Sequence, residues 1–288
     1  MHFVKAKGIL SAKNGMNIYR GCTHGCIYCD SRSECYGMKH AFEDVEVKEN
    51  ALELLEDTLR RKRAKCMIGT GSMSDPYMPL EQRLGMTRKA LEIVQRYGFG
   101  FTLITKSPSV LRDLNLLQAV NQKAKCVVQM TLTACDDALC KIIEPNVAPT
   151  RERFTALKTL HEAGIPTVVW LTPILPFITD TKENIEGILN RCIEAKVRGI
   201  ICFGMGVTLR AGNREYFYKK LDAHFPGLKK TYIKIYGDSY SVMSPHNTEL
   251  MSVFRRTCKA HGIEHNVGKI FKYLNNLENT QQKQLELF

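Results

Sequence analysis

Three cysteines lie within eight residues near the start of the chain, at Cys22, Cys26 and Cys29. Their C-x3-C-x2-C spacing allows one loop to present three thiolates to a single iron–sulfur cube, because a loop of this length can wrap one face of it. The fourth iron of such a cube would have no protein ligand and could bind a small molecule. An open iron of this kind makes a catalytic centre out of a metal site.

Two other uses of these cysteines compete with the cluster. A disulfide framework is disfavoured, because the 11 cysteines are scattered through 288 residues and no charged-then-apolar leader precedes them, so a reducing cytoplasm is expected. A zinc site could recruit Cys35 as a fourth ligand. Zinc ribbons, however, usually pair two C-x2-C knuckles across a longer gap, and the sequence has no second knuckle. The spacing therefore favours an iron–sulfur cluster.

The same spacing, with the aromatic Tyr28 directly before the third cysteine, resembles the signature of the radical S-adenosylmethionine (SAM) enzymes. The resemblance implies a [4Fe-4S] cluster on Cys22, Cys26 and Cys29, with SAM as a second cofactor on the open iron. It also implies an external electron donor, cleavage of SAM to a 5′-deoxyadenosyl radical, and contact of Tyr28 with the adenine. Cys35 falls outside the pattern and is expected to be a small buried hydrophobe.

Composition limits the remaining possibilities. An apolar fraction of 44% in 288 residues is enough for the core of one α/β barrel-like domain with an appendage, or of two small domains. Lysine and arginine number 41 against 29 aspartates and glutamates, an excess of 12. This excess favours an anionic partner, although a merely soluble basic protein is the alternative. No apolar run reaches membrane-spanning length, so no membrane association is expected.

Short β-prone runs alternate with helical patterns along the chain. The runs cover residues 66–70, 100–105, 126–133, 167–171 and 199–203, with a first strand near 16–19. The clearest helical stripe is Ile185, Ile188, Leu189, Cys192 and Ile193, and Gly98 and Gly164 are predicted to cap helices. Repeated strand–helix units imply a parallel sheet with right-handed crossovers. About six units match the partial (β/α)6 barrel that the family resemblance implies, with chemistry at the carboxyl ends of the strands.

The loop after the second of these strands carries a more specific string, S-D-P-Y-x-P-x-E from Ser74 to Glu81. Four further stretches accompany it: Thr87-Arg88, Ile104-Thr105-Lys106-Ser107 with Val110-Leu111-Arg112-Asp113, Glu144-Pro145-Asn146-Val147-Ala148-Pro149 with Arg151, and Ala163-Gly164-Ile165 with Pro173-Ile174-Leu175-Pro176. The set resembles the spore photoproduct lyase-like branch of radical SAM proteins, over about residues 8–205. Taken alone, the loop is an ordinary turn-rich connection, with Thr87 as the N-cap of the next helix.

The resemblance suggests where SAM is bound. Ser72, Met73 and Ser74 occupy the place where radical SAM proteins usually bind the methionine amino group, although the usual glycine-glycine-glutamate form is absent. Lys106 follows the third strand, where it could pair with the SAM carboxylate. The alternative for this residue is a solvated lysine.

Four polar residues near the strand ends are further candidates. Thr131 and Thr133 lie two residues apart and therefore face the same side of their strand, where one could bond the ribose or carboxylate of SAM. The alternative is that they are ordinary β-branched strand residues. Asp75 and Glu144 are candidates either for substrate contacts or for holding loops.

The resemblance to spore photoproduct lyase raises the question of a hydrogen donor, because that enzyme is thought to use a cysteine thiol to quench a substrate radical. Cys135 and Cys140 follow the fourth strand, and Cys135 is the candidate donor. Free cysteine is more often a buried hydrophobe, which is the alternative for both.

The composition changes after residue 208. Basic residues accumulate beside aromatic ones: Arg210, Arg214, Lys219, Lys220, Lys229, Lys230 and Lys234 with Tyr216, Phe217, Tyr218, Tyr232 and Tyr236. The set is either a nucleic-acid surface or a helical cap with tyrosines in its core and lysines in water.

The pattern over residues 249–261 predicts an amphipathic helix that packs on the barrel. The expected organisation is a barrel over 1–208, an extension over 209–276 and a flexible tail over 277–288.

The tail ends with Gln284-Leu285-Glu286-Leu287-Phe288, which places three large apolar residues after a polar spacer. Apolar anchors on a flexible tail suit the preformed pocket of a partner. The string resembles the Q-L-x-L-F motif by which bacterial DNA polymerases and repair proteins dock on the replication sliding clamp. The alternative is a tail that folds onto its own domain.

Together these features predict a cytoplasmic bacterial radical SAM enzyme that resembles spore photoproduct lyase and acts on DNA in lesion repair. The radical would abstract hydrogen from a base or sugar in a pocket at the barrel mouth, and a stacked base would first have to be flipped out. Two alternatives stay open. One is radical modification of RNA or a peptide, and the other is a non-catalytic iron–sulfur module that binds DNA and the clamp.

Overall fold

A computed structural model of the chain describes residues 1–277. Its strands are β1 (His2–Val4), β2 (Gly15–Met16), β3 (Tyr19–Arg20), β4 (Glu46–Lys48), β5 (Met67–Thr70), β6 (Gly100–Thr105), β7 (Cys126–Thr131), β8 (Thr167–Trp170), β9 (Gly199–Ile201), β10 (Gly206–Thr208) and β11 (Ser241–Met243). Six of them form one parallel sheet in the order β2-β5-β6-β7-β8-β9. Because the spatial order follows the chain order, each connection crosses over to the next neighbouring strand.

Helices fill these crossovers and the C-terminal part. They are α1 (Ala51–Arg61), α2 (Pro79–Leu84), α3 (Met86–Tyr97), α4 (Leu114–Lys123), α5 (Asp137–Ile143), α6 (Thr150–Glu162), α7 (Lys182–Glu194), α8 (Asn213–His224), α9 (Leu228–Tyr236), α10 (Asn247–Ala260) and α11 (Val267–Asn275). The architecture is the predicted partial (β/α)6 barrel with a helical C-terminal extension. None of the helices in residues 1–277 is both long and apolar enough to span a membrane.

The strand predictions succeed where an uninterrupted apolar run marks the strand. Residues 100–105 are predicted and observed as the same strand, and both of its faces are largely buried, as expected for a covered parallel sheet. The predicted strand at 16–19 is wrong in its extent. The chain breaks there, so that Gly15–Met16 joins the barrel while Tyr19–Arg20 pairs with Glu46–Lys48 in a separate three-stranded sheet with β1.

The helix predictions are confirmed for the strongest stripes. Ile185, Ile188, Leu189 and Cys192 are all buried on one face of α7. Gly98 and Gly164 adopt left-handed conformations just beyond α3 and α6, as predicted for helix ends. The N-cap prediction for Thr87 is wrong, because α3 begins at Met86 and the Thr87 backbone N–H donates to the Glu81 carboxylate instead.

The two faces of the sheet are covered by different parts of the chain. On β7, Cys126, Val128 and Met130 join the large core shared with the crossover helices. The alternate residue Val127 belongs to a smaller cluster with Ile270 and Leu274 of α11. The C-terminal helix therefore packs against the concave face of the partial barrel, and the Lys125 ammonium donates to the Tyr273 carbonyl near the end of that helix at 2.6 Å.

The basic and aromatic segment forms a helical cap. Phe217 and Tyr232 are fully buried in a second core that joins α8 and α9 to the cysteine loop, which favours the helical-cap alternative for these rings. The helix predicted over 249–261 is observed as α10 and contacts α7. β10 and β11 pair with each other, so that hydrogen bonds cross the boundary predicted at residue 208.

The burial of α11 against the sheet generates a test of stability. Leu274→Ala should lower the free energy of unfolding by about 2–5 kcal/mol, because the substitution removes a buried side chain from the concave face. The measurement is urea denaturation followed by circular dichroism. Ile233→Ala is the matched control, because that side chain is 49% exposed on α9 and its loss should cost less than about 0.5 kcal/mol. Equal losses in the two variants would contradict the proposed packing.

Candidate active site

The three cysteines of the first motif line one cavity of about 100 Å³ at the carboxyl ends of the strands. Its walls come from the cysteine loop, from the loops that follow β5 and β6, and from Thr131 at the end of β7. Cys22 and Cys26 are buried and Cys29 is half-buried, and all three are free thiols. The barrel thus brings the motif to the edge where such folds carry their chemistry.

The donor set in this cavity fits a cluster better than a zinc ion. Three thiolates suit three corners of a [4Fe-4S] cube, whose fourth iron then has no protein ligand. A structural zinc site needs four ligands. Cys35, the cysteine that the zinc alternative would recruit, is exposed and does not line this cavity.

Burial keeps the thiols of Cys22 and Cys26 protonated until a metal binds. Desolvation, with a smaller contribution from the charge of Asp75, raises the pKa of the Cys22 thiol to about 12. Burial likewise raises the pKa of Cys26. Thiolate is the form that ligates iron, so cluster assembly must release these protons.

Asp75 fastens the second-strand loop to its neighbours. Its carboxylate accepts from the Thr105 hydroxyl at 2.6 Å and from the Lys106 backbone N–H at 2.7 Å, and it lies 3.0 Å from His24 Nε2. Burial alone would raise the pKa of Asp75, but His24 and these donors bring it down to about 2. Of the two roles predicted for Asp75, its contacts favour holding loops together.

The loop residues predicted to bind SAM divide into two kinds. Ser72 and Met73 line the cavity. Ser74 also lies at the cavity wall, but its hydroxyl donates to the Tyr19 carbonyl at 2.8 Å, so the side chain acts within the scaffold. Gly71 precedes them with φ +98°, and a Cβ there would lie 2.1 Å from the Ile104 carbonyl oxygen. Only glycine allows this approach of the two loops.

Lys106 supplies the positive charge of the site. It lines the cysteine cavity, and its Nζ atom lies 5.7 Å from the centre of the Tyr28 ring. Burial would lower the pKa of Lys106, but the negative charges of Cys26 in its thiolate form and of Glu144 raise it above its usual value. A fixed ammonium beside the cysteines can bind an anionic group such as a carboxylate.

A buried ion pair lies beneath the cysteine loop. Glu144 and Arg153 are both fully buried, and Arg153 Nη2 donates to Glu144 Oε2 at 2.5 Å. The same carboxylate accepts from the Tyr28 hydroxyl and from Thr133 Oγ1, the latter at 3.3 Å. Arg153 Nη1 donates to the Thr131 carbonyl at 2.9 Å. One pair thus connects the cysteine loop to the end of β7.

The sequence analysis singled out Arg151 rather than Arg153. Arg151 lies on the surface and pairs with Asp137, with 3.2 Å between the charged atoms. A signal for Arg153 exists in the helical periodicity, because it shares one face of α6 with Ala156, Leu157 and Leu160. A charged residue in such an apolar stripe indicates a buried partner.

The other predicted residues differ in their distance from the cavity. Thr131 lines the cavity and Tyr28 lines the larger space beside it, whereas Thr133 is buried against Glu144. Cys135 lines neither space: a Cβ on Gly187 of α7 would lie 2.5 Å from its Sγ atom. Cys140 is buried beside Arg153, with 2.8 Å between Sγ and Nη2. The candidate donor Cys135 therefore lines neither space in this structure, and its role as a hydrogen donor stays a prediction.

The expectation that Cys35 is buried is wrong. It is exposed in a short 3-10 helix, Glu34–Tyr36, and its Sγ atom lies 3.2 Å from Arg210 Nη1. Arg210 also lies 3.4 Å from Asp30, so the segment after the third cysteine contacts the C-terminal extension. The tertiary contact with Arg210 explains why Cys35 has no place in a core.

The remaining motif residues form a second buried network. The Tyr19 hydroxyl and Arg112 Nη2 donate to the Glu81 carboxylate, the latter at 2.9 Å. Asp113 accepts from Tyr77 at 3.0 Å, and from Arg88 and Arg112 at 2.7 Å each. Much of the second-strand motif therefore serves to lock the loops, while Ser72 and Met73 reach the cavity.

A larger cavity of about 530 Å³ adjoins the cysteines. The two spaces share seven lining residues: Cys29, Ser31, Gly71, Ser72, Ile104, Lys106 and Thr131. Its outer wall comes from Trp170, Thr172, Phe203 and the two-stranded sheet of β10 and β11. We call the cysteine space the inner cavity and this one the outer cavity. A volume of this size is in the range of sites for small organic molecules.

Comparison with protein families matches residues 16–192 to the Radical SAM superfamily. The chain belongs to this superfamily. Its cofactors are a [4Fe-4S] cluster and SAM, and enzymes of this superfamily need an external electron donor. The inner cavity is lined by the three thiols of the motif together with Lys106, Ser72 and Met73.

Related sequences come from distant organisms. A protein of Methanocaldococcus jannaschii described as uncharacterized is 34% identical over 178 residues, which cover 60% of this chain and 65% of that protein. An uncharacterized protein of Mycobacterium tuberculosis is 28% identical over 234 residues, covering 77% and 66% respectively. The chain thus spans slightly less than two thirds of the length of these relatives.

Among solved structures, spore photoproduct lyase complexed with dinucleoside spore photoproduct superimposes with a TM-score of 0.60 at 14% sequence identity. The superposition covers 85% of this chain and 72% of the lyase chain. At this identity, the likeness establishes the fold.

The thiol assignment generates a direct test. Cys22→Ala should reduce the iron and sulfide bound after anaerobic reconstitution to well below the about four irons per chain of a complete cube, because one corner loses its ligand. Cys35→Ala is the matched control and should reconstitute like the unaltered protein, since this thiol is exposed outside the cavity. Iron analysis and visible absorption measure both. Loss of the cluster in Cys35→Ala would contradict the assignment.

The second network generates a pH-dependent test. Burial would raise the pKa of Asp113, but Arg112, Arg88 and Tyr77 bring it below its usual value. The stabilisation by its charge is therefore present above the unfolded pKa of about 3.9 and is lost as pH falls through the lower folded value. Asp113→Asn should cost about 1.5–3 kcal/mol at pH 7, because it removes the charge-assisted hydrogen bonds from Arg88 and Arg112 to a buried carboxylate.

This cost should be constant from pH 5 to pH 8 and should shrink below about pH 4, where the carboxylate of the unfolded chain takes up a proton while the native one is still charged. Urea titrations of the two proteins across this range measure it. Asp57→Asn, on the exposed face of α1, is the control and should change little. A difference that stays the same at pH 3 would show that the charge of Asp113 is not the stabilising feature.

Proposed function

We propose that the protein is a radical SAM enzyme that acts on DNA and reverses or processes a base lesion, in the manner of spore photoproduct lyase. The observation that carries this proposal is the outer cavity, which opens beside the cysteines and has room for a substrate next to SAM. When bound, the cluster and SAM would supply a 5′-deoxyadenosyl radical for hydrogen abstraction. The protein's own residues bind, orient and enclose the reacting groups.

The likeness to spore photoproduct lyase supports the choice of substrate. That enzyme has been solved with dinucleoside spore photoproduct, and its fold covers 85% of this chain. The motif set from Ser74 to Asp113 and beyond resembles the same branch of the superfamily. The 14% identity leaves the lesion itself to be identified by experiment.

The charge of the C-terminal extension supports a polyanionic substrate. Residues 209–276 contain 12 lysines and arginines against five aspartates and glutamates. Because the aromatic rings of α8 and α9 are largely buried, the cations rather than these rings would contact phosphates. The two-stranded sheet of β10 and β11 connects this basic part to the wall of the outer cavity.

The decisive experiment identifies the product. The reconstituted and reduced protein is incubated with SAM and with either irradiated or unirradiated DNA, and the nucleosides are analysed by mass spectrometry. We expect a SAM-dependent change in irradiated DNA alone, and none with Cys22→Ala protein. Release of 5′-deoxyadenosine without any DNA change would retain the enzyme class and exclude this substrate. Absence of 5′-deoxyadenosine would favour the non-catalytic module.

Docking on the replication sliding clamp is a second part of the proposal. The residues predicted to bind it, Gln284 to Phe288, lie outside the described part of the chain, and the proposal rests on their sequence. The docking would bring a repair enzyme to DNA during replication.

A further inference from the structure

Three aromatic rings meet at the wall of the outer cavity. Trp170 at the end of β8 and Phe203 after β9 line the cavity, and Phe271 of α11 lies against both. Ring centroids are 6.1 Å apart for Trp170 and Phe203, 6.1 Å for Trp170 and Phe271, and 6.4 Å for Phe203 and Phe271. We call these three residues the aromatic platform.

Phe203 is exposed although hydrogen bonds hold the backbone two residues further along. Its side chain is 60% exposed, which is more than any other large apolar side chain within residues 1–277. The adjoining Met205 N–H donates to Asn247 Oδ1 at 2.9 Å, and the Met205 carbonyl accepts from the Ser244 N–H at 2.7 Å. Phe271 stacks on the ring at an interplanar angle of 24°. The other face of a held ring is thus available to a ligand.

Trp170 is oriented from below by a chain of hydrogen bonds. Its indole Nε1 donates to Gln129 Oε1 at 2.8 Å, and Gln129 Nε2 donates to Thr102 Oγ1 at 2.8 Å. Gln129 and Thr102 are both buried inside the barrel. The polar edge of the indole is therefore satisfied within the protein, and its apolar face is left for the cavity.

We propose that the aromatic platform is the subsite that stacks an unpaired base of the substrate. This inference rests on the proposed function, because it assumes a nucleic-acid substrate. A base that leaves the helix loses its stacking partners, and a preformed aromatic surface replaces them. The outer cavity also shares Cys29, Lys106 and Thr131 with the inner cavity, so a base on the platform would lie in the space next to the cluster ligands.

The composition of the chain provides a direct probe, because Trp170 is its single tryptophan. All tryptophan fluorescence of the protein therefore reports on the platform. We would titrate the reconstituted protein with pentathymidylate, and in parallel with the same oligonucleotide carrying an abasic site at its centre. Fluorescence anisotropy of an end label on each oligonucleotide measures binding independently.

Stacking predicts that pentathymidylate quenches Trp170 and that the abasic oligonucleotide quenches it less. Phe203→Leu should weaken pentathymidylate binding between about fivefold and a hundredfold, the usual range for losing one base–aromatic stack. Phe203→Tyr keeps a ring and should restore binding to within about twofold of the unaltered protein. Phe177→Leu is the matched control, because Phe177 is 38% exposed and does not line either cavity.

The outcomes separate the two proposals. If pentathymidylate binds without changing Trp170 fluorescence, or if Phe203→Leu binds as tightly as the unaltered protein, the platform is not the base subsite although DNA binding stands. If neither oligonucleotide binds at low salt, the proposed action on DNA is overturned, and the platform falls with it. Iron content of each variant confirms that the barrel is intact.

Discussion

The cysteine loop depends on one buried ion pair, between Glu144 and Arg153. Both side chains are fully buried, so neither charge is hydrated. Each charge is stabilised instead by its partner and by a few hydrogen bonds. The pair fastens Tyr28 from the cysteine loop, Thr133 beyond β7 and the carbonyl of Thr131 at the cavity wall. Because a lone buried charge is so costly, the two residues hold these segments in one arrangement, and the thiols are positioned accordingly.

A second ionic network holds the loops that follow β5 and β6. Glu81 and Asp113 collect donors from Tyr19, Tyr77, Arg88 and Arg112, and so connect β3, the loop after β5 and the start of α4. Asp75 then links this locked loop to His24 in the cysteine loop. Most polar residues of this motif therefore hold the loops in place. Within residues 72–74, Ser72 and Met73 are left for a ligand, because the Ser74 hydroxyl donates to the Tyr19 carbonyl.

The sequence predicts local features of this protein better than distant pairings. Cys22, Cys26 and Cys29, the strand 100–105 and the stripe on α7 all follow from patterns within a few residues. Arg153 could be found from its place in an apolar stripe, but its partner nine residues earlier could not. Cys35 was expected inside because free cysteines usually are, whereas a contact with Arg210, 175 residues away, keeps it at the surface. The strands β2 and β3 likewise belong to two different sheets, because β2 pairs with β5 and β3 pairs with β4, and both partners lie far along the chain.

The seven residues shared by the two cavities have a thermodynamic consequence. A molecule in the outer cavity and a molecule in the inner cavity would contact the same side chains of this common wall. Each ligand therefore alters the wall that the other one meets, and the two binding equilibria are coupled. By linkage, whatever factor the first molecule applies to the affinity of the second, the second applies to the affinity of the first.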